Sequence, residues 1–442
     1  MNDNIPFEKY KERINNGSFY KREGKVKQVI GLTIQVEGIK AFVGEICEIV
    51  IDEKRKITSE VVGFSEEKVL IMPFGELSGI SPGSRVIPTG KCMRIKVGEN
   101  LLGKVLNGLG QPFDDEKIYL TEEVDSYQNP PNALTRKRID KIMETGIRAI
   151  DGLITVGVGQ RIGIFSGSGV GKSTLIGKIC RSSKADVNVI CLIGERNREL
   201  QNVLDIDLGE EGLKKSVVIC ATSDQPPLIR IKGAYTGISI AEYFRDKGYN
   251  VMLIMDSVTR FAMAQREVGL AIGEPPTTKG YTPSVFALLP KLFERAGTSE
   301  TGSITAFFTV LVEGDDLNEP ISDAARGILD GHIILSRKLA NQNHFPAIDV
   351  NNSISRLMSQ IISEKQSEAA ALIRDIMALY EESEDLINVG AYAKGSNPKL
   401  DKAIELYPEI MNFLRQKLND RTSIQETLEW MYSILNMEMS ES

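Results

Sequence analysis

Histidine is almost missing from this chain: His332 and His344 are the only two in 442 residues. Two isolated imidazoles do not make a His-rich metal centre, and both are expected to be structural rather than catalytic. Cysteine is sparse as well. Cys47, Cys92, Cys180, Cys191 and Cys220 are odd in number, scattered and never spaced as C-x-x-C, so buried reduced thiols are expected, not a zinc or redox centre. No uninterrupted apolar run is long enough to span a bilayer, and the polar stretch from Met1 to Lys25 lacks the apolar segment of a signal peptide. A cytoplasmic protein is expected, one still able to dock onto a membrane assembly. An excess of basic charge is also lacking. Lys and Arg total 53 against 60 Asp and Glu, a net charge of −7, which argues against a nucleic-acid partner.

What is present is too long for one core and divides into three. Residues 1–90 hold a short N-terminal segment, with an amphipathic helix expected over Pro6–Asn15, and then a run of short strands. Val26–Ile30, Thr33–Val36, Gly44–Val50 and Lys68–Met72 are rich in β-branched residues and bounded by Gly, Pro or charge, the pattern of a small β-barrel or sandwich. Over residues 91–362 the text becomes strand, loop, helix, repeated. Arg161–Phe165, Val187–Ile193, Val217–Ala221, Val251–Met255 and Ile304–Leu311 are apolar on both faces and alternate with helical stretches such as Ser173–Arg181 and Ile229–Lys247. That combination predicts an α/β fold, a parallel sheet covered on both sides. Residues 363–442 read as a helical domain, with stripes through Leu400, Ala403, Ile404, Tyr407, Met411, Leu414 and Leu418 and through Ile424, Leu428, Met431 and Leu435. Pro408 is expected to kink or split the first of these helices.

One loop carries most of the chemistry. Arg161–Phe165 leads into Ser166-Gly167-Ser168-Gly169-Val170-Gly171-Lys172-Ser173-Thr174 and then into a helix. Glycines let the backbone wrap so that several N–H groups face phosphate oxygens, and the helix N-terminus adds partial positive charge. Residues Gly167 to Thr174 are therefore assigned to nucleotide binding, with ATP as ligand. Lys172 would reach the β- and γ-phosphates, its only evident partner, and the Ser173 hydroxyl would ligate Mg²⁺. The first position departs from the strict motif, Ser166 standing where Gly is usual. The run Val251–Met255 ends in Asp256, a second Mg²⁺ position in such sites. Glu195 ends Val187–Ile193 in a Gly194-Glu195-Arg196 sequence. A carboxylate there would polarise the water attacking the γ-phosphate; a salt bridge or a helix cap fits the residues as well.

Taken together, these residues resemble the rotary and secretion ATPase superfamily, most closely the flagellar protein-export ATPases. The resemblance runs from about residue 24 to about residue 420. It is carried by Gly146-Ile147-Arg148-Ala149-Ile150-Asp151-Gly152, Gly167–Ser173, Gly194–Arg198, Asp256–Phe261, Gly331–Arg337 and above all Pro346–Ser355. It implies a RecA-like P-loop core, preceded by the barrel and followed by the helical domain, assembled as a homohexamer with nucleotide sites between subunits. By resemblance Glu195 is the catalytic carboxylate, Arg196 and Arg260 lie near the γ-phosphate of their own subunit, and Arg356 is an arginine finger reaching the neighbour's nucleotide. Phe345 falls where an aromatic ring packs on the adenine. Arg260 paired to Asp256, and Phe345 in the core, are the plainer readings of the same residues.

The resemblance further implies ATP hydrolysis that energises type III protein export at the inner face of the cytoplasmic membrane, the chain docking there peripherally. Implied partners are a stator-like regulatory protein, a coiled-coil central-stalk protein entering past the loop Gly273–Pro283, export-gate membrane proteins and chaperone–cargo complexes. A virulence secretion ATPase is the nearest alternative. An ATP-synthase subunit fits the Ser166 loop less well, and a non-catalytic ring subunit does not account for Glu195.

Overall fold

The structure is a computed structural model that describes Lys11 and residues 23–114, 117–312, 314 and 316–437. The helix expected over Pro6–Asn15 lies outside the described residues, Lys11 apart. By compactness the chain forms two units. One holds the described residues up to Met93 together with Ala271–Gly273, and the other holds the remainder.

In the first unit, β1 (Gly24–Ile30), β2 (Thr33–Glu37), β3 (Glu45–Val50), β4 (Lys56–Ser65), β5 (Lys68–Pro73) and β6 (Arg85–Cys92) close into a barrel in the order β1-β2-β5-β4-β3-β6. β6 completes the circle by pairing antiparallel with β1. Alternation makes the inside: along β3, Glu45, Cys47 and Ile49 are buried while Ile46, Glu48 and Val50 are half-buried. Val26, Ile34, Val36, Cys47, Ile49, Val61, Val69, Ile71 and Val86 fill it. Of barrel and sandwich, the chain forms the barrel. The sequence pattern missed β4 and β6 for local reasons. β4 shifts register between Val61 and Gly63, which breaks the period of two, and β6 carries Pro88 and Gly90, residues that ordinarily mark turns.

The second unit is built on a nine-stranded sheet. Beside it, β7 (Arg94–Val97) pairs with β9 (Glu122–Asp125) as a separate ribbon. Its own strands are β8 (Val105–Asn107), β10 (Arg161–Ser166), β11 (Val187–Ile193), β12 (Ser216–Ala221), β13 (Asn250–Asp256), β14 (Gly297–Thr298), β15 (Ser303–Leu311), β16 (Gly331–Leu335) and β17 (Ile348–Ser355). The order is β17-β16-β10-β15-β13-β11-β12-β8, with β14 on β15. From β16 to β8 every pairing is parallel; β17 closes the edge antiparallel. All seven residues of β11 and all six of β12 are buried, as strands covered on both faces must be. The helices Lys172–Ser182 and Pro227–Asp246 stand within a residue or two of their expected bounds.

The C-terminal helices Glu364–Asn388, Pro398–Leu414 and Ile424–Ile434 do not make a core of their own. Ala369, Ile373, Met377, Ile410, Phe413 and Met431 share one apolar cluster with Ile147, Ile150, Leu153 and Ile162 of the α/β part. Pro398–Leu414 is one helix, and Pro408 does not split it. A proline costs the helix the bond to the carbonyl four residues back, and burial of Leu400, Ala403, Ile410, Phe413 and Leu414 outweighs that loss. Among the described residues no helix is long and apolar enough to cross a membrane.

Candidate functional site

The parallel strands deliver the site at their carboxyl ends, where open α/β sheets bind ligands. β10 ends at Ser166 and the helix Lys172–Ser182 begins six residues later, capped by Gly171 at φ 89°. Gly169 is also left-handed, at φ 78°, so the loop between them takes turns that residues with a Cβ avoid. Ser168, Ser173 and Thr174 are exposed at its mouth. A wrapped loop on a helix N-terminus, open to solvent, fits a phosphate chain.

Three charged side chains meet beneath it. Lys172 forms an ion pair with Asp256 at the end of β13, and its Nζ lies 3.6 Å from Glu195 Oε1 beyond the end of β11. Lys172 was expected to find a partner only in phosphate, but two carboxylates, Asp256 and Glu195, face it as well. Burial works against the Lys172 ammonium, yet Asp256 and Glu195 outweigh it and hold its pKa above the ordinary lysine value. Glu195 goes the other way for a carboxylate. Burial first, and then the Asp256 charge, push it up to about 7 against the pull of Lys172. The second oxygen-side partner of Asp256 is Thr309 of β15, whose Oγ1 donates to Asp256 Oδ1 at 2.7 Å.

Arg260 is placed by the same turn. A Cβ on Gly194 would lie 2.8 Å from the Arg260 Cβ, so a glycine before Glu195 is what admits the arginine stem. No ion pair joins Arg260 to Asp256 among the described residues, which Lys172 and Thr309 occupy instead. The Arg260 Nε is buried without a hydrogen-bond partner, which is uncommon for a buried donor. Arg196 is exposed and starts the helix Asn197–Asn202.

On the other flank of the loop lies a cavity of about 530 Å³ lined by Gly169, Gly171, Thr174, Phe345, Pro346 and the loop Arg415–Leu418, among others. That volume suits a nucleoside. A Cβ on Gly171 would sit 3.3 Å from the Phe345 ring, and Phe345 is 39% exposed. The ring therefore faces the cavity and is not a core residue.

Arg356 is not brought to this site. It follows β17, whose Ser355 pairs with Gly331 at the start of β16, while β10 runs alongside in register Gly163 to His332 and Ser166 to Leu335. Arg356 thus leaves the sheet at the amino-terminal edge, level with Arg161 and about 17 Å along the strands from Ser166, where the phosphate loop begins. It is exposed there, its backbone N–H donating to Asp330 O at 2.9 Å and its Nη2 to Arg326 O at 2.9 Å.

Comparison with known proteins finds likeness over most of the chain. Three family profiles match in succession: the ATP synthase alpha/beta family beta-barrel domain over residues 26–90, its nucleotide-binding domain over 146–355, and the type III secretion EscN ATPase C-terminal domain over 362–433. The flagellum-specific ATP synthase of Bacillus subtilis is 54% identical over 422 residues, covering 95% of this chain and 96% of that protein. This chain belongs to the flagellar and type III secretion ATPases. The type 3 secretion system ATPase of Xanthomonas euvesicatoria is 49% identical over 94% of both chains. The assembled ATPase EscN of enteropathogenic E. coli superposes with a TM-score of 0.90 at 46% identity, over 93% of this chain and 100% of that one. EscN has also been solved with its central stalk EscO, at a TM-score of 0.87 and 45% identity over the same coverage.

Membership makes the chain a P-loop ATPase with a nucleotide as substrate. A metal would fit. Among the described residues no group of three or more His, Cys, Asp or Glu side chains makes a cage, but Mg²⁺ takes only one or two protein ligands besides water and phosphate. The exposed Ser173 hydroxyl and the Asp256 carboxylate supply that number. Sequence reasoning missed Thr309 and the loop Arg415–Leu418. Thr309 was visible as one of two hydroxyls, with Thr305, in the apolar run Ile304–Leu311; the loop, remote in sequence, carries no motif.

Proposed function

We propose that this ATPase energises flagellar type III protein export as a homohexameric ring, hydrolysing Mg-ATP at sites shared between neighbours. The observation that carries the reading is the Lys172–Asp256–Glu195 cluster under an open phosphate loop, in a chain 54% identical to a flagellum-specific relative. In this reading Gly167 to Thr174 cradle the triphosphate, and Lys172 exchanges its carboxylate partners for the β- and γ-phosphates. Ser173 and Asp256 would hold Mg²⁺, which would offset the phosphate charge. Glu195, ionised, orients the attacking water and takes its proton. Arg260 and Arg196 stand by the γ-phosphate, and Phe345 stacks on the adenine.

Arg356 serves the next subunit. Its place at the far edge of its own sheet supports a role in trans, because it is too distant to assist its own loop. The assembled form of EscN and its complex with EscO support a ring and a coiled-coil stalk for this chain too. The stator-like protein, export-gate proteins and chaperone–cargo complexes complete the proposed set of partners, with the chain docked at the inner face of the cytoplasmic membrane. The test is purified protein alone. ATP hydrolysis per chain should rise steeply with protein concentration as rings form, and a rate per chain independent of concentration would contradict the shared site.

A further inference from the structure

The segment Gly146–Gly152 contains a buried cation that no step above uses. Arg148 is 6% exposed, and its guanidinium is bonded to the C-terminal helices and the segment that joins them. Its Nε donates to Phe413 O at 2.7 Å, its Nη2 to Arg415 O at 2.5 Å and its Nη1 to Thr422 Oγ1 at 3.3 Å. The guanidinium also lies 4.6 Å from the Trp430 ring centroid, a favourable face for a cation. Its backbone N–H donates to Gln416 Oε1 at 3.1 Å, and Gln416 Nε2 returns a bond to Gly146 O at 2.9 Å.

The bonds to Arg415 O and to and from Gln416 fix one short loop, and those to Phe413 O and Thr422 Oγ1 brace the chain on either side of it. Arg415–Leu418 is otherwise held by the Gln416 N–H to Phe345 O at 2.8 Å and by Lys178 Nζ to Lys417 O at 2.7 Å. Lys178 belongs to the helix that opens with Lys172. The loop is one wall of the 530 Å³ cavity and Phe345 is another part of it.

We propose that Arg148 is a positioning residue that seats the loop Arg415–Leu418 against Phe345, making the base-side wall of the nucleotide cavity depend on the packing of the C-terminal helices. Force applied to those helices would then reach the base directly, without passing through the phosphate loop. The inference rests on the reading of the Phe345 cavity as the base site.

The test compares ATP with inorganic tripolyphosphate, which engages the phosphate loop and has no base. Full-length wild type, Arg148→Ala, Arg148→Lys, Gln416→Ala and Phe345→Ala are titrated with each ligand in the presence of Mg²⁺. Arg148→Ala should weaken ATP roughly tenfold, the order expected for losing contacts worth one decade in affinity, while tripolyphosphate binds as before. KM for ATP should rise much more than kcat falls. Arg148→Lys should recover only part of the loss, because an ammonium cannot make three divergent bonds. Gln416→Ala leaves the guanidinium packing in place and should give the same ATP-selective loss if Arg148→Ala does not fold. Equal loss of both ligands in the soluble variants, or ATP binding as tight as wild type, overturns the proposal. Phe345→Ala separates the two failures. If it loses ATP selectively while the Arg148 and Gln416 variants do not, only the positioning role is wrong; if it too keeps wild-type ATP binding, the base-site reading has failed.

Discussion

Lys172 lies under the phosphate loop between Asp256 and Glu195, so removing it should do two things at once. Lys172→Ala is expected to abolish hydrolysis and weaken ATP binding while the fold persists; turnover at the wild-type rate with normal Mg²⁺ dependence would remove the phosphate-loop assignment. Glu195→Gln keeps the size of the side chain and loses the carboxylate. It should bind ATP and collapse in a single-turnover cleavage assay, and near-normal cleavage would return Glu195 to a salt-bridge role. The lone polar residues of the core also have consequences. His344 is 1% exposed, its Nδ1 has no partner, and burial, helped by the Arg415 charge, lowers its pKa to about 4. The unfolded chain protonates this ring near pH 6.5 and the folded chain does not until about pH 4. Its contribution is therefore present above 6.5 and lost as pH falls toward 4, on the order of 3 kcal/mol in all. Denaturant midpoints from pH 7 to 4 should fall more steeply for wild type than for His344→Gln.

At the scale of elements, the readable parts of the sequence were those whose signal is local. β11 was legible to the residue because six of its seven side chains are apolar, Asn188 being the exception, and all seven are buried. The loop from Gly167 to Thr174 was legible as a turn into a helix because its glycines cluster between an apolar strand and a helical stretch. β17 was not read as a strand, although Pro346–Ser355 was recognised as a motif, because Asn351, Asn352 and Ser353 interrupt its apolar run. The C-terminal helices were read correctly as helices, but their partner was not. Periodicity shows that a face is buried and not what buries it, and here the face closes on Ile147, Ile150 and Leu153. Phe413 stands at that junction, fully buried and edge-on to Trp430 at 5.6 Å. Phe413→Ala should cost about 3–5 kcal/mol, read as a lower denaturant midpoint for the α/β unit itself. An unchanged midpoint would mean that the helices are an independent domain.

For the whole molecule the central claim is that one chain does not contain a complete site. The sheet topology sets Lys172, Glu195 and Asp256 at one end and Arg356 at the other, and in the proposed ring a neighbour's Arg356 would reach each phosphate loop. An arginine supplied in trans can be worth several orders of magnitude in rate. The most direct measurement is complementation between two inactive proteins. Arg356→Ala should bind ATP nearly as wild type and hydrolyse it poorly; Lys172→Ala has a dead loop and an intact finger. Mixed under conditions where sedimentation shows that both enter common rings, they should recover hydrolysis, since an Arg356 from one subunit serves an intact Lys172 in the next. Mixed rings whose activity stays at the level of the separate variants, at every mixing ratio, would contradict the shared site.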